Sequence, residues 1–290
     1  MTKILNLSNP KLVANQLKND IDQHCAIKYD DGLRWHLGAS LIGHKCKRYL
    51  WFVFRWCFKE LHDGRQQRLF NRGHLEEKRF IEWLKEIGCQ IWSEDENGKQ
   101  FNITTIKGHF GGSLDAIMKL PPHYGINEPI LGEFKTNGTG PGFAKLTMSG
   151  VAVEKPLHYA QMNVYGSDEK YSFNYAAYFN VCKNDDNLHL EVIKLDPKQG
   201  AEMRIKATEI IEAHIPPPRL SDVPTFYDCV YCPAKDVCHG NKPYIKNCRS
   251  CEQAHPVDNG EWFCSLHNGV IPRDFVLQGC GQYQPIARKA

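Results

Sequence analysis

The 290-residue chain has no run approaching the ~18 consecutive apolar residues of a membrane-spanning helix, which excludes an integral membrane protein of the helical kind. Its first eight residues, Met1 to Ser8, lack the apolar segment of a secretory signal, so a cytoplasmic protein with no membrane partner is expected. There is no internal repeat and no low-complexity tract, and domain boundaries must be read from Pro and Gly punctuation and from shifts in residue usage. No Gly-x-Gly-x-x-Gly fingerprint follows a strand, which argues against a nucleotide-dependent redox enzyme. Neither sign of charge prevails: 36 Lys and Arg against 33 Asp and Glu leave a net charge of +3, which permits a nucleic-acid partner without requiring one. What the chain does have is cysteine. Twelve thiols in a reducing compartment point to metal ligation more than to disulfides.

Three regions follow from the pattern. Residues 1–38 read as a polar, partly helical N-terminal extension. Residues 39–243 read as an α/β unit. Within it, Ser40 is a candidate N-cap for a helix through Leu41, Ile42, Cys46, Tyr49, Leu50 and Phe54, and a second helix over 67–87 carries the stripe Phe80, Ile81, Trp83, Leu84 and Ile87. Strands are expected around 114–117 and 130–135, joined as a hairpin, then near 171–180 and 188–195. A Gly-rich loop over 137–142 leads to a helix ending at Tyr165, and another helix is expected near 199–214. Pro216, Pro217 and Pro218 close this unit, and residues 244–290 are dominated by Cys, Pro and Gly.

Strand periodicity places Glu133 and Lys135 on one face, and the hairpin brings Asp115 alongside. Two carboxylates hold a hard divalent ion, and a nearby ammonium orients a water and offsets developing charge, which is the chemistry of phosphodiester hydrolysis. Such a short pattern recurs on many solvated strands, so its company decides. In the second helix both Glu76 and Glu77 lie near the edge of the apolar stripe, and helical geometry does not choose between them. His74, adjacent, reads as a surface or packing histidine. Downstream, His158, Gln161 and Tyr165 fall on one helical face.

The series Gly73-x-x-x-Glu77, Gly112-x-x-Asp115, Glu133-Phe134-Lys135 and Gln161-x-x-x-Tyr165 resembles the PD-(D/E)XK nuclease superfamily, and the Gln-x-x-x-Tyr element brings it closest to the RecB-type branch, with exonucleases of recombination, CRISPR adaptation and phage genomes. Leu114 stands where the motif's proline would be. The resemblance implies a restriction-endonuclease-like α/β fold, a central mixed sheet flanked by helices. It implies Mg²⁺ or Mn²⁺ held by Asp115 and Glu133 with Glu77 as the further metal-side residue, Lys135 assisting the water, and Gln161 and Tyr165 contacting DNA or organising the site. The implied function is a metal-dependent DNA exonuclease, with endonuclease activity of the chain itself left open, acting on DNA with free ends or single-stranded DNA in recombination, repair or phage DNA processing, with recombination or replication proteins as partners. A non-catalytic nucleic-acid-binding protein is the alternative.

Cys229-x-x-Cys232 and Cys238 supply three soft ligands within ten residues. In iron–sulfur members of the RecB-type branch the fourth ligand comes from the N-terminal helix in a Ser-Leu…Cys-x-Arg context, which Ser40, Leu41, Cys46 and Arg48 match here. The resemblance therefore implies a [4Fe-4S] cluster on Cys46, Cys229, Cys232 and Cys238; zinc, with Cys46 or His239 completing the set, is the alternative. In the tail, Cys248-x-x-Cys251 followed by Cys264 and Cys280 has zinc-ribbon spacing, with His267 competing for Cys280's place and His255 spare. The tail has too few apolar residues to fold unaided, so that Zn²⁺ is expected to supply most of its stability, and Lys246, Arg249 and Arg273 are available for phosphates. Cys25, Cys57, Cys89 and Cys182 have no partner spacing and read as small apolar residues.

Overall fold

The computed structural model describes residues 9–138 and 140–288; the segment 1–8, and Thr139 within the 137–142 loop, lie outside the described residues. Helix α1 (Pro10–Lys28) starts on Asn9, whose side chain accepts from Lys11 N and Leu12 N, with Pro10 at the first helical position. It packs on helix α3 (Gly64–Glu86) and is tied to it by an Arg68–Asp22 ion pair of 2.5 Å. The two-residue strand β1 (Leu37–Gly38) and a 3₁₀ turn at Ala39–Leu41 follow α1.

Helix α2 spans only Lys47–Phe54. The expected start at Ser40 is displaced: Ser40 instead accepts from Arg34 Nη1, and the cap is Cys46, whose sulfur accepts from Tyr49 N at 3.4 Å. Helix α3 begins three residues earlier than expected because Asp63 and Gln66 form a reciprocal capping box. Of its stripe, Phe80 and Leu84 are buried, while Ile87 is exposed at the C-cap.

Two sheets carry the α/β unit. Strands β2 (Gln90–Trp92), β3 (Asn102–Thr105) and β4 (Phe110–Ser113) precede β5 (Ala116–Lys119), β6 (Ile130–Asn137), β7 (Tyr175–Cys182) and β8 (Leu188–Lys194). The larger sheet has the order β2-β5-β6-β7-β8, mixed in sense: β5 and β6 form the antiparallel hairpin, β6 and β7 are parallel, and β8 returns antiparallel. The smaller has the order β1-β4-β3. A parallel pair needs a crossover, supplied by helices α4 (Pro141–Ser149), α5 (Val151–Glu154) and α6 (Pro156–Gly166). Helix α7 (Pro197–Glu212) packs on α6.

One sheet face is covered by α3. There Phe80 stacks on Phe134 with ring centroids 5.5 Å apart and meets Phe179 at 5.8 Å, in a cluster with Ala116, Met118, Ile130 and Val181. Because side chains alternate, burying Phe134 against α3 turns Glu133 and Lys135 to the opposite face, where α6 lies.

The tail has a small sheet of its own and packs on the α/β unit. Strands β9 (Ala254–Pro256), β10 (Trp262–Cys264) and β11 (Gly269–Val270) form a third, antiparallel sheet. Trp262, Ala254, Tyr244 and Ile286 belong to the same apolar cluster as Trp51, Phe54 and Phe110, so the tail shares the core of the α/β unit. Arg249 departs from the expected phosphate-contacting role: it is wholly buried and cannot meet DNA. Its guanidinium lies over the rings of Trp56, Phe54 and Trp262 at 4.1, 4.7 and 4.8 Å and donates to Trp35 O at 3.2 Å. Lys246 is exposed, and Arg273 stacks over Trp35 at 4.2 Å. Cys25, Cys57, Cys89 and Cys182 are buried free thiols.

Among the described residues, no helix is long and apolar enough to cross a membrane.

Candidate active site

Asp115 does not lie on a strand. It occupies the bend between β4 and β5, where the chain passes from the small sheet to the large one. Its position is nonetheless fixed, since Oδ2 accepts from the backbone N–H of Phe134 at 2.9 Å and from Lys135 Nζ at 3.3 Å. Lys135 also donates to Phe134 O at 3.0 Å and forms an ion pair with Glu133 Oε1. Its ammonium therefore sits between the two carboxylates.

Glu133 has no exposed surface, and neither carboxylate oxygen has a hydrogen-bond partner among the described residues; the Lys135 ion pair is its compensation. Burial, reinforced by the charge of Asp115, pushes its pKa up to about 8. Burial works against the charge on Lys135, but Glu133 and Asp115 outweigh it and the net shift is upward. A buried carboxylate whose one compensation is a single ammonium keeps lone pairs that a further cation could use.

The two glutamates of α3 part company. Glu76 pairs with Arg79 at 2.8 Å and Arg72 at 3.7 Å, and Arg79 continues to Asp186 at 2.7 Å. Glu77 turns to the site: burial, then the charge of Asp115, raises its pKa, while His74 and Lys135 pull the other way. His74 is largely exposed, with Nδ1 3.3 Å from Glu77 Oε1.

From α6, Gln161 is buried and its Nε2 donates to the Tyr165 hydroxyl at 3.4 Å. That hydroxyl reaches β4 beside Gly112, where a Cβ would collide with it, so the glycine two residues before Leu114 makes room for the tyrosine. Burial, and then the charges of Glu133 and Asp115, raise the Tyr165 pKa. Three further residues join this face, Tyr178 and Asn180 from β7 and His158 from α6. Only the parallel register, which sets Tyr178 beside Glu133 and Asn180 beside Lys135, reveals the first two; the signal for His158 was its place on the Gln161 face.

The cysteines gather in two places. Cys46, Cys229, Cys232 and Cys238 line one small cavity with His44 and His239. Burial leads the rise in the Cys232 pKa, to about 11, with Cys46, Cys238 and Cys229 adding to it. Cys248, Cys251, Cys264, Cys280 and His267 line another cavity of ≈ 530 Å³. His255 lies apart, its Nδ1 3.3 Å from that of His214. Among the described residues, no three His, Cys, Asp or Glu side chains are gathered tightly enough to enclose a metal ion. At the carboxylates the Lys135 ammonium stands in that position, and at the cysteines the thiols ring a space. The donor types fit a hard divalent ion at the first and a thiophilic metal at the others.

No protein-family model and no curated protein matches the chain. Among solved structures, it is similar to LHK-Exo in complex with dAMP at 16% identity and a TM-score of 0.42, covering 65% of this chain and 89% of that one. A second structure of this alkaline exonuclease, from Laribacter hongkongensis, gives 12%, 0.41, 66% and 90%. SSO0001 gives 15% identity and a TM-score of 0.41, covering 79% of this chain and 96% of that one.

Proposed function

We propose that the chain is a divalent-metal-dependent DNA nuclease, an exonuclease acting on free DNA ends. The observation that carries this is the Glu133 carboxylate, fully buried and compensated among the described residues by the Lys135 ammonium alone, beside Asp115 and Glu77. The order of motifs and their resemblance to the RecB-type branch support the choice of DNA ends.

Asp115, Glu133 and Glu77 would hold Mg²⁺ or Mn²⁺. When bound, the ion polarises the phosphate and stabilises the leaving oxygen. Lys135, beside both carboxylates, would donate to the attacking water and offset charge on the phosphate. The Phe134 N–H keeps Asp115 in place, and the covered bottom of the site keeps bulk water from Glu133. Gln161 and Tyr165 position the strand end. Cys46, Cys229, Cys232 and Cys238 would hold a [4Fe-4S] cluster, or zinc in its place, and Cys248, Cys251, Cys264 and Cys280 a structural Zn²⁺.

Digestion of single- and double-stranded DNA labelled at one end, with Mg²⁺, Mn²⁺ or EDTA, tests the reading. Metal-dependent release of short labelled products or progressive shortening is expected. Inert DNA under all metal conditions overturns it, and cleavage of circular DNA overturns the requirement for ends.

A further inference from the structure

His158 stands on α6 on the same face as Gln161 and Tyr165. Its Nδ1 lies 2.9 Å from the Tyr178 hydroxyl oxygen, and Asn180 Nδ2 donates to the same oxygen across 3.3 Å. Tyr178 and Asn180 pair in parallel register with Glu133 and Lys135, so all four share the site face of the sheet. Tyr178 and Asn180 are fully buried, while His158 is only partly so.

The proton arrangement follows. With Asn180 donating to the phenol oxygen, the hydroxyl proton goes to His158 Nδ1, because a phenol that accepted from both neighbours would leave its own proton without an acceptor among the described residues. The imidazole then carries its own proton on Nε2, which lies on the partly exposed side of the ring and has no hydrogen-bond partner among the described residues. Burial, with the positive charges of Lys135 and Lys155, holds the His158 pKa down to about 3. The ring therefore stays uncharged at neutral pH. A histidine that merely filled the core would have both nitrogens satisfied or packed; here one is clamped by two buried residues and the other is left as an oriented donor.

We propose that His158 is a substrate ligand: an imidazole, its tautomer set by Tyr178 and Asn180, that donates its Nε2 proton to a non-bridging phosphate oxygen of the DNA strand lying beside Lys135. The inference rests on the nuclease reading and deepens it. Tyr178 and Asn180 are positioning residues in this arrangement. An uncharged donor suits the place, because Lys135 already supplies charge and a second cation there would compete with the metal for the carboxylates.

The test compares wild type, His158→Ala, His158→Gln and Tyr178→Phe. Cleavage of end-labelled DNA is measured with Mn²⁺, DNA affinity with Ca²⁺ at several salt concentrations, and histidine tautomers by ¹⁵N NMR. A lost hydrogen bond to a charged oxygen predicts that His158→Ala lowers kcat/KM roughly 10- to 100-fold. His158→Gln, which keeps a donor, recovers part of this, and the salt slope of DNA binding stays that of wild type because no charge was removed. Wild type shows the Nε2–H tautomer at pH 7, and Tyr178→Phe releases it to a mixture with a several-fold loss of kcat/KM. An Nδ1–H tautomer in wild type, or folded His158→Ala and His158→Gln proteins within twofold of wild type, overturns the proposal. Inert wild type instead overturns the nuclease reading, and the Ca²⁺ affinities then decide the role of His158 by themselves.

Discussion

Lys135 Nζ stands 3.3 Å from Asp115 Oδ2 while pairing with Glu133 on its other side, so one ammonium serves two carboxylates that would otherwise repel each other in a covered site. In the proposed nuclease a divalent ion would compete with this ammonium for the same two carboxylates. Removing the ammonium therefore has two separable effects. Lys135→Ala is expected to lower cleavage by roughly 10²- to 10³-fold, the scale of losing an oriented electrostatic donor. It is also expected to tighten Mn²⁺ binding, because a competing cation has gone. Titration calorimetry with Mn²⁺ and the end-labelled DNA assay read the two effects; undiminished cleavage by folded Lys135→Ala protein would remove the lysine from the chemistry.

Glu76 and Glu77 are adjacent in sequence and opposite in role. Glu76 is nearly buried and bridges Arg72 and Arg79, so Glu76→Gln weakens stability by about 1 kcal/mol, the pair being discounted for its partly exposed arginines, and leaves the metal requirement alone. Glu77→Gln raises the Mn²⁺ concentration needed for half-maximal cleavage several-fold and leaves the melting temperature near that of wild type. A reversed pattern would assign the site to Glu76.

Much of this arrangement was legible in the sequence because it rests on local periodicity. The alternation Glu133-Phe134-Lys135 separates the site face from the face that stacks on Phe80, and the interval from Gln161 to Tyr165 is one helical turn. What was hidden depends on long-range assembly. Ser40 satisfies the local rule for an N-cap, yet Arg34 claims its hydroxyl and the helix waits for Cys46. Asp115 falls off the strand because β4 and β5 belong to different sheets. Tyr178 and Asn180 enter through strand register, which no spacing encodes. Arg249 looked like a surface charge beside a cysteine pair, whereas its aromatic box is built from residues near 54 and 262, far apart in the chain.

His109 gives the fold an acid limit. It is fully buried, Nε2 lies 2.8 Å from Val257 O, and its ring meets Phe54 and Trp262. Burial lowers its pKa to about 4, below the ~6.5 of an unfolded chain. Between these values the unfolded chain binds more protons than the folded one, so stability is complete above pH 6.5 and falls as pH drops towards 4, by up to about 3 kcal/mol. His109→Gln, which retains a donor for Val257 O, is expected to flatten the decline of melting temperature between pH 6.5 and 4.5. An unchanged slope would locate the acid sensitivity elsewhere.

The two cysteine groups should answer metal removal separately. Anaerobically purified protein is expected to be brown, with absorption near ~400 nm that disappears in Cys232→Ser, while Cys248→Ser keeps the colour and loses zinc. Colourless wild type with two zinc ions per chain would transfer Cys46, Cys229, Cys232 and Cys238 to a zinc site. Because Trp262 and Ile286 anchor the tail in the shared core, zinc removal is expected to lower the melting temperature without detaching the tail, which limited proteolysis would show.

Arg249 and Arg55 test what holds that tail. Both are buried, and among the described residues their guanidinium groups meet carbonyls and aromatic faces and no carboxylate: Arg55 donates to Ala254 O at 2.8 Å and to Arg249 O and Ala213 O at 3.3 Å. Burial, followed by repulsion from Arg55, lowers the Arg249 pKa far from its ordinary value. Two like charges thus share a dry aromatic box, and their desolvation works against the packing of their stems. Arg249→Ala empties the box and is expected to cost about 3 kcal/mol as a cavity between Phe54, Trp56 and Trp262. Arg249→Met fills most of the space and removes the repulsion on Arg55, giving up the bond to Trp35 O, and should cost no more than about 1 kcal/mol. Urea unfolding of the two variants decides the matter: if Arg249→Met is as damaging as Arg249→Ala, the carbonyl and cation–π contacts outweigh packing, and the charge itself clamps the tail to the core.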